Sequence, residues 1–440
     1  MSAESSSSNN KKPIYIIDGC RTPFLKAEGY GGPFSAADLA TTASRTLLLR
    51  QAIKPETLDE VIFGCVMPGP DEANVARIIA LRLGLQESIP AWTVQRNCAS
   101  GLQALDSALQ SIHEGRANMV LAGGTEAMSL APVLLRQAMV DWLSYWARSK
   151  TVMARFKALA KLRLPMFAPV IGLLRGLSDP VVGLSMGQTA ENLAYRFAIS
   201  RQQMDEYALQ SHQRLARAHD ENRFDELISL YDQKGQCYSE DTGLRRDSSI
   251  EKLAKLRPAF DKKFGLVSAG NSAQITDGAA CLLLASEAAV EQYQLQPIAR
   301  IIDSQWAGLD PAQMGLGPIH AMTPIMQRHQ YNIGDIDYWE INEAFATQVL
   351  ACIEAWDNED YCQSQLGLEK VIGKIPQDRL NVDGGGISIG HPVGASGARI
   401  VLHLIKTLQQ RQGTLGMASL CIGGGQGGAM LIECLQGEAS

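Results

Sequence analysis

Two stretches of this 440-residue chain decide its fold: "CASGLQALDSAL" at 98–109 and "GASGARIVLHLI" at 394–405. Each has Ala-Ser-Gly behind one residue that differs, Cys98 or Gly394, and each runs on into an apolar helical period. The echo extends in both directions. Upstream, "PIYIIDG" at 13–19 resembles "PIARIID" at 297–303, and downstream "VLAGGTEAM" at 120–128 resembles "SLCIGGGQGGAM" at 419–430. The order is the same and the separations are similar, so the chain reads as two related halves. Convergent strand–glycine–helix chemistry is the alternative left open. Short apolar runs alternate with helical patterns throughout, as in "EVIFGCVM" at 60–67 and "DLATTASRTLLLRQA" at 38–52. That pattern predicts an α/β fold with buried strands. The first half is expected over 1–129 and 276–296, an inserted loop domain over 130–275, and the second half over 297–440.

Composition narrows the function. A net charge of −6 argues against nucleic-acid binding by the whole chain. Nine cysteines with no Cys-x-x-Cys pair fit neither a disulfide framework nor a zinc ribbon, and the seven histidines have no metal-ligand spacing, so no metal is expected. The polar stretch "MSAESSSSNNKK" is expected to be disordered; it lacks an apolar signal core and the pattern of a transit peptide. The terminal "GEAS" is not a peroxisomal address, so a cytoplasmic location is expected.

Four segments could carry chemistry. Cys98 stands between the strand-like "AWTV" and a helix that Gly115 would stop. A thiol at a helix N-terminus is expected to ionise more easily, which suits a nucleophile, although a lone cysteine can also be an inert buried side chain. His391 lies in "NVDGGGISIGHPVGASGAR", between glycine-rich stretches that allow close backbone approach, as a general base beside a ligand requires. "GHPVGASG" also suits a dinucleotide loop, but no acidic residue follows at the required distance. Cys421 precedes Gly423, Gly424, Gly425 and Gly427, whose N–H groups could serve as oxyanion donors or simply close a tight turn. Asn342, in "YWEINEAFATQVL", could cap a helix or hold a water or a substrate oxygen. The other histidines read as structural.

Together "NCASGLQAL", "NEAFA", "GGGISIGHPVGASGAR" and "CIGGGQGGAM", with "DGCRTPF" and "SAGNSAQITDGAA", resemble the thiolases, acyl-CoA:acetyl-CoA C-acyltransferases. The resemblance runs from about Pro13 to Cys434. It implies duplicated α/β halves in a five-layer αβαβα arrangement with a loop domain inserted in the first half. It implies Cys98 as the acyl-accepting nucleophile, His391 as its base and Cys421 as the acid/base at the α-carbon. Asn342, through a water, and His391 would form one oxyanion hole; the N–H groups of Cys98 and Gly423 would form the other. Met186, Ala269 and Phe345 would line the substrate and pantetheine path. The implied reaction is ping-pong thiolysis of a 3-ketoacyl-CoA by CoA, with condensation of two acetyl-CoA as the alternative direction. Coenzyme A is then a substrate and no cofactor is needed. The sequence departs from the common pattern at Ser185, where His is frequent, and at Ala273, where Ser is frequent, which leaves the CoA contacts open. A ketoacyl synthase would normally carry His in place of Cys421, and a non-catalytic relative would be expected to lose one of Cys98, His391 or Cys421.

The insertion holds an unusual segment, 136–177, with eight Lys or Arg against Asp141 alone, a net +7 in an acidic protein. Met139, Trp142, Leu143 and Trp146 would share one helix side; Val152, Met153, Phe156 and Ala160 would share another. The apolar run from Leu164 to Leu174 contains Pro165 and Pro169 and is too short to span a bilayer. Two readings stand: helices over an active site or subunit contact, or an interfacial surface for an anionic lipid or substrate. Thiolase subunits of the trifunctional β-oxidation complex have a similar loop, but usually His at the position of Asn342, which weakens the case for a hydratase/dehydrogenase partner. A homodimer or homotetramer, with peripheral membrane contact through 136–177, is the expected assembly.

Overall fold

The computed structural model describes residues 12–435, apart from Tyr30 and Ala52. Residues 1–11 and 436–440, and with them the expected disordered start and the terminal "GEAS", lie outside it.

The first half contributes β1 (Ile14–Arg21), α1 (Ala36–Arg50), β2 (Glu60–Gly64), β3 (Ala91–Val94), α2 (Ser100–His113) and β4 (Met119–Ala127). The insertion follows, with α3 (Gln137–Arg148), α4 (Val152–Leu159), α5 (Met186–Arg196) and α6 (Arg201–Asp220), before β5 (Thr276–Ser286) returns to the sheet. The second half has β6 (Ala299–Gly308), α7 (Gly317–His329), β7 (Tyr338–Ile341), α8 (Ala346–Trp356), α9 (Ser396–Gln410), β8 (Leu415–Ile422) and β9 (Gln426–Cys434). The two long helices α5 and α6 are separated by a turn in which Ala198 takes φ +50.

The halves have one topology. The first pairs its strands in the order β1-β5-β4-β2-β3, antiparallel twice and then parallel twice. The second runs β6-β9-β8-β7 in the same senses, and a parallel bridge from Trp339 to Leu380 stands where β3 stands in the first. The match reaches single residues. Both β1 and β6 slip register at an Ile-Ile-Asp sequence, between Ile16 and Asp18 and between Ile301 and Asp303. Asp18 Oδ1 accepts the Gly19 N–H at 2.7 Å and Asp303 Oδ1 the Ser304 N–H at 2.8 Å. An arginine from the last turn of the covering helix reaches each carboxylate, Arg50 from α1 and Arg328 from α7. Asp59 accepts the N–H groups of Asn118 and Met119 as β4 begins, and Asp337 those of Thr414 and Leu415 as β8 begins. Convergent local chemistry does not account for such agreement. The third echo needs a new register: Met119 matches Leu415, so Thr125 matches Cys421.

Three apolar cores separate the layers. One lies under α1, one between the two half-sheets around α2 and α9, and one under α7 and α8. The half-sheets meet edge to edge through three antiparallel pairs, Ile14–Ile301 to Ile16–Ala299. The central helices cross in backbone contact at the glycines of the two Ala-Ser-Gly motifs. A Cβ on Gly397 would lie 2.4 Å from the Leu102 nitrogen, and one on Gly101 2.8 Å from the Ala398 nitrogen. The insertion occupies the place of the three-residue turn Gly423–Gly425 between β8 and β9.

Within the basic segment, Trp142 donates from Nε1 to the Ala158 carbonyl at 2.8 Å and stacks on Trp146 at 5.6 Å, which joins α3 to α4. Met139 is buried and Leu143 is exposed, so the expected α3 face is only partly packed. On α4, Val152, Met153 and Phe156 all point outward, 66–73% exposed. Among the described residues no helix is long and apolar enough to cross a membrane.

Candidate active site

Cys98 sits where β3 turns into α2. Asn97 before it takes φ +44, a conformation that asparagine tolerates better than most residues. The turn is closed by Ser100, whose Oγ accepts the Arg96 N–H at 2.9 Å and donates to the Asn97 carbonyl at 2.7 Å. Asn97 Nδ2 reaches across to the second half and donates to the Gly423 carbonyl at 2.8 Å. The hairpin tip of β8 and β9 is thereby held against Cys98. Gly424 and Gly425 take φ +91 and +75 there, which explains the glycine run. The expectation of a lowered thiol pKa is not met. Burial pushes the half-buried Cys98 thiol above its ordinary value, although the N–H groups of Gly423 and of Cys98 itself favour the thiolate. Cys98 therefore rests as a thiol, and a base is needed to ionise it.

His391 is buried in the loop before α9. Ser396 Oγ lies 2.6 Å from His391 Nδ1 and 3.1 Å from the Pro392 carbonyl, which also accepts the N–H groups of Ala395 and Ser396. With the hydroxyl proton turned to that carbonyl, Nδ1–H donates to Oγ. Nε2 then carries the lone pair. Burial, aided by the nearby Arg399 charge, pushes His391 down to about 4, so the ring is neutral at pH 7. Asn342 Nδ2 lies 3.5 Å from each ring nitrogen. Asn342 Oδ1 is buried with no hydrogen-bond partner. Asn342 does not cap a helix, because α8 begins only at Ala346, after Phe345. Cys421 lies within β8, and burial raises its pKa well above the ordinary value.

A cavity of about 1070 Å³ opens on Cys98. Asn97, Gly423 and Met186 line it with Val66, Met67 and the stretch Arg175–Val181 of the insertion. The C-terminal end of the basic segment thus borders the cysteine. Ala269 and Phe345 do not line this cavity. Ala269 is exposed, and Phe345 packs edge-on to Phe260 at 5.8 Å and bridges to Ser272. Ser185, the departure from the common pattern, caps α5 by accepting the Gln188 N–H, with Gln188 capping in return.

The family description "Thiolase, N-terminal domain" matches residues 14–288, and "Thiolase, C-terminal domain" matches residues 295–434.

The chain belongs to the thiolase family.

Its thiolase relatives include the 3-ketoacyl-CoA thiolase of Yersinia enterocolitica, 36% identical over 96% of both chains. The mitochondrial trifunctional enzyme subunit beta of Bos taurus is 35% identical over 96% of this chain and 89% of its own. Among solved thiolase structures, human mitochondrial 3-ketoacyl-CoA thiolase in complex with CoA superposes with a TM-score of 0.83 at 36% identity, covering 96% of this chain and 98% of that one. The Bacillus anthracis acetyl-CoA acetyltransferase gives the same TM-score and identity over 97% and 100%. The five-layer thiolase fold expected from the motifs is the one observed. Sequence reading missed two polar residues that hold this site together, Asn97 bonded to Gly423 and Ser396 beside His391. Both lie inside quoted motifs, one residue before Cys98 and five after His391, so their polar character was the available signal.

Proposed function

We propose that the chain is a degradative acyltransferase that cleaves 3-ketoacyl-CoA with CoA, giving acetyl-CoA and a shortened acyl-CoA. His391 Nε2 takes the Cys98 proton, and the thiolate attacks the ketone carbon. The N–H groups of Cys98 and Gly423 stabilise the resulting oxyanion. The α-carbon leaves as the acetyl-CoA enolate, held by His391 and an Asn342-bound water, and Cys421 protonates it. CoA then gives its thiol proton to the Cys421 thiolate and displaces the acyl group from Cys98, whose departing thiolate takes back the proton held by His391. What supports this reading is the Cys98 thiol beside the Gly423 N–H, together with a buried, neutral His391 tied through Nδ1 to Ser396 Oγ. Coenzyme A is a substrate, and no step needs a cofactor.

Condensation of two acetyl-CoA would use the same groups in reverse. The volume of the cavity beside Cys98 and the apolar side chains of Val66, Met67, Leu177 and Val181 favour a longer acyl chain. A thiolysis series with 3-ketoacyl-CoA of increasing length, on the wild type and Cys98→Ala, tests both points. Turnover by Cys98→Ala overturns the mechanism, and a rate confined to acetoacetyl-CoA overturns the chain-length reading.

We further propose a cytoplasmic homodimer or homotetramer, with peripheral membrane contact through 136–177. Among the described residues one edge of β3 has no strand partner, and Trp92 on that strand is exposed, as a second copy would use. The outward Val152, Met153 and Phe156 lie in the segment of net +7, a combination suited to anionic bilayers. Equal sedimentation with anionic and neutral vesicles would refute the membrane contact.

A further inference from the structure

Duplication left two equivalent helix starts, and among the described residues Cys98 stands at one and Gly394 at the other. Matching Ser100 with Ser396 makes Gly394 the counterpart of Cys98. Matching Met119 with Leu415 makes Glu126 the counterpart of Ile422, next to Gly423. The tip of each of these strands faces the helix N-terminus of the opposite half. On one side Gly423 directs its N–H at the Cys98 sulfur. On the other, the Glu126 carboxylate accepts the Gly394 N–H at 3.0 Å. A Cβ at Gly394 would lie 2.4 Å from the Thr125 carbonyl and 2.8 Å from Glu126 Oε2, so this second place cannot hold a cysteine.

Glu126 is fully buried, and every hydrogen-bond partner it has is neutral. Oε2 accepts from Val66 N–H at 2.9 Å as well as from Gly394; Oε1 accepts from Met67 N–H at 2.9 Å and from the Cys65 thiol at 3.6 Å. Three backbone donors converge on two oxygens. Val66 and Met67 line the cavity beside Cys98, and so does Val393, which with Pro392 joins Gly394 to His391. A buried carboxylate is costly where an apolar side chain could fill the same space, so its retention asks for a reason.

We propose that Glu126 is a positioning residue of the reaction centre: its carboxylate ties the loop that carries His391 to the cavity wall at Val66 and Met67. The inference rests on the thiolysis mechanism proposed above. The bridge needs both oxygens to accept, which holds above about pH 7, to which burial pushes the Glu126 carboxyl. Glutamine has one acceptor oxygen and one amide, so its NH2 faces an N–H and one side of the bridge is lost. Aspartate keeps the charge but is one methylene shorter. The charge has a separate effect, since Glu126 raises the Cys98 pKa. The titratable groups facing the carboxylate are the thiols of Cys65 and Cys98.

The test compares Glu126→Gln and Glu126→Asp in steady-state thiolysis and in the pH dependence of Cys98 alkylation by iodoacetamide, read by peptide mass. Both variants should lose kcat about tenfold or more with KM held within about threefold. The alkylation midpoint should move to lower pH in Glu126→Gln and stay at the wild-type value in Glu126→Asp. A kcat within twofold of wild type in Glu126→Asp overturns the proposal, as does a loss expressed in KM alone. If Glu126→Gln fails to fold, Glu126→Asp decides by kcat. A wild-type chain that does not cleave 3-ketoacyl-CoA refutes the mechanism instead. The alkylation arm needs no substrate and still bears on Glu126, because an unmoved midpoint in Glu126→Gln counts against it.

Discussion

Ser396→Ala gives the sharpest test of how His391 becomes a base. With its one proton turned to the Pro392 carbonyl at 3.1 Å, Ser396 Oγ accepts from His391 Nδ1 at 2.6 Å, and this is the arrangement that leaves Nε2 free as a base. Both His391 and Ser396 are buried, so no bulk water replaces the hydroxyl. In the alanine variant an Nδ1–H left in place is an unsatisfied buried donor, at a cost of ~1–3 kcal/mol. The ring can avoid that cost by moving its proton to Nε2, which removes the lone pair that accepts the Cys98 proton. Either way the reactive tautomer becomes less favourable by ~1–3 kcal/mol, which corresponds to about a 5- to 150-fold slower acylation of Cys98. KM should change little, because Ser396 does not line the cavity. The assay is the pre-steady-state burst of acyl-enzyme, paired with the 15N shifts of the His391 ring, which report the tautomer directly. A burst rate within twofold of wild type, or a ring that keeps Nδ1–H with full activity, would refute the assignment.

Three further outcomes follow from buried groups. Burial pushes His391 down to about 4 and Glu126 up to about 7, so wild-type acylation should fall below about pH 7 as Glu126 protonates, whereas Glu126→Gln should hold its lower rate through pH 6.5 and decline only near pH 4; an acid limb at 6.5 in that variant would sink the reading. Burial opposes the charge on His403, but hydrogen bonds to Asp383 and Glu226 overcome it and raise its pKa to about 10. That stabilisation is fully present below about pH 6.5 and is lost as pH rises through about 10; His403→Gln should flatten this alkaline loss of Tm and cost roughly 3 kcal/mol at pH 7, read by denaturant titration. Gly397→Ala would place its Cβ against the Leu102 backbone and should destabilise by about 3 kcal/mol or more, with a matching fall in Tm; an unchanged Tm would mean the central helices can separate.

Much of this architecture was legible because the duplication left its marks in backbone-determining residues. The Ile-Ile-Asp pairs fix bulges, the Ala-Ser-Gly pairs allow helix contact, and the glycines after Cys421 make a hairpin tip. Such positions depend on local conformation, which a sequence displays. The state of Cys98 was not legible in the same way. A helix N-terminus argues for easier ionisation, but how far burial opposes it depends on the other half of the chain and on the insertion. Asn342 looked equally like a cap, and only the start of α8 four residues later removes that role. The outward α4 face was visible as a period, but which side the period faces is a tertiary fact.

The two halves also explain why one centre draws on both. Each half presents a helix N-terminus to the strand tip of the other, so any cysteine at either helix start meets groups from the opposite half. In the first helix the residue there is Cys98, and the facing tip is glycine backbone that supplies an N–H without filling space. In the second the residue is Gly394, and the facing tip ends in Glu126, which takes that N–H for itself. With the second helix start closed, its loop is free to specialise: His391, three residues before Gly394, turns Nδ1 onto Ser396 in its own helix. A symmetric pair of cysteine sites would have needed both tips open and both loops alike. Replacing Glu126 and Gly394 together would therefore not restore the second site, and Gly394→Cys should fail to fold with or without Glu126, because its Cβ meets the Thr125 carbonyl whatever the sulfur does.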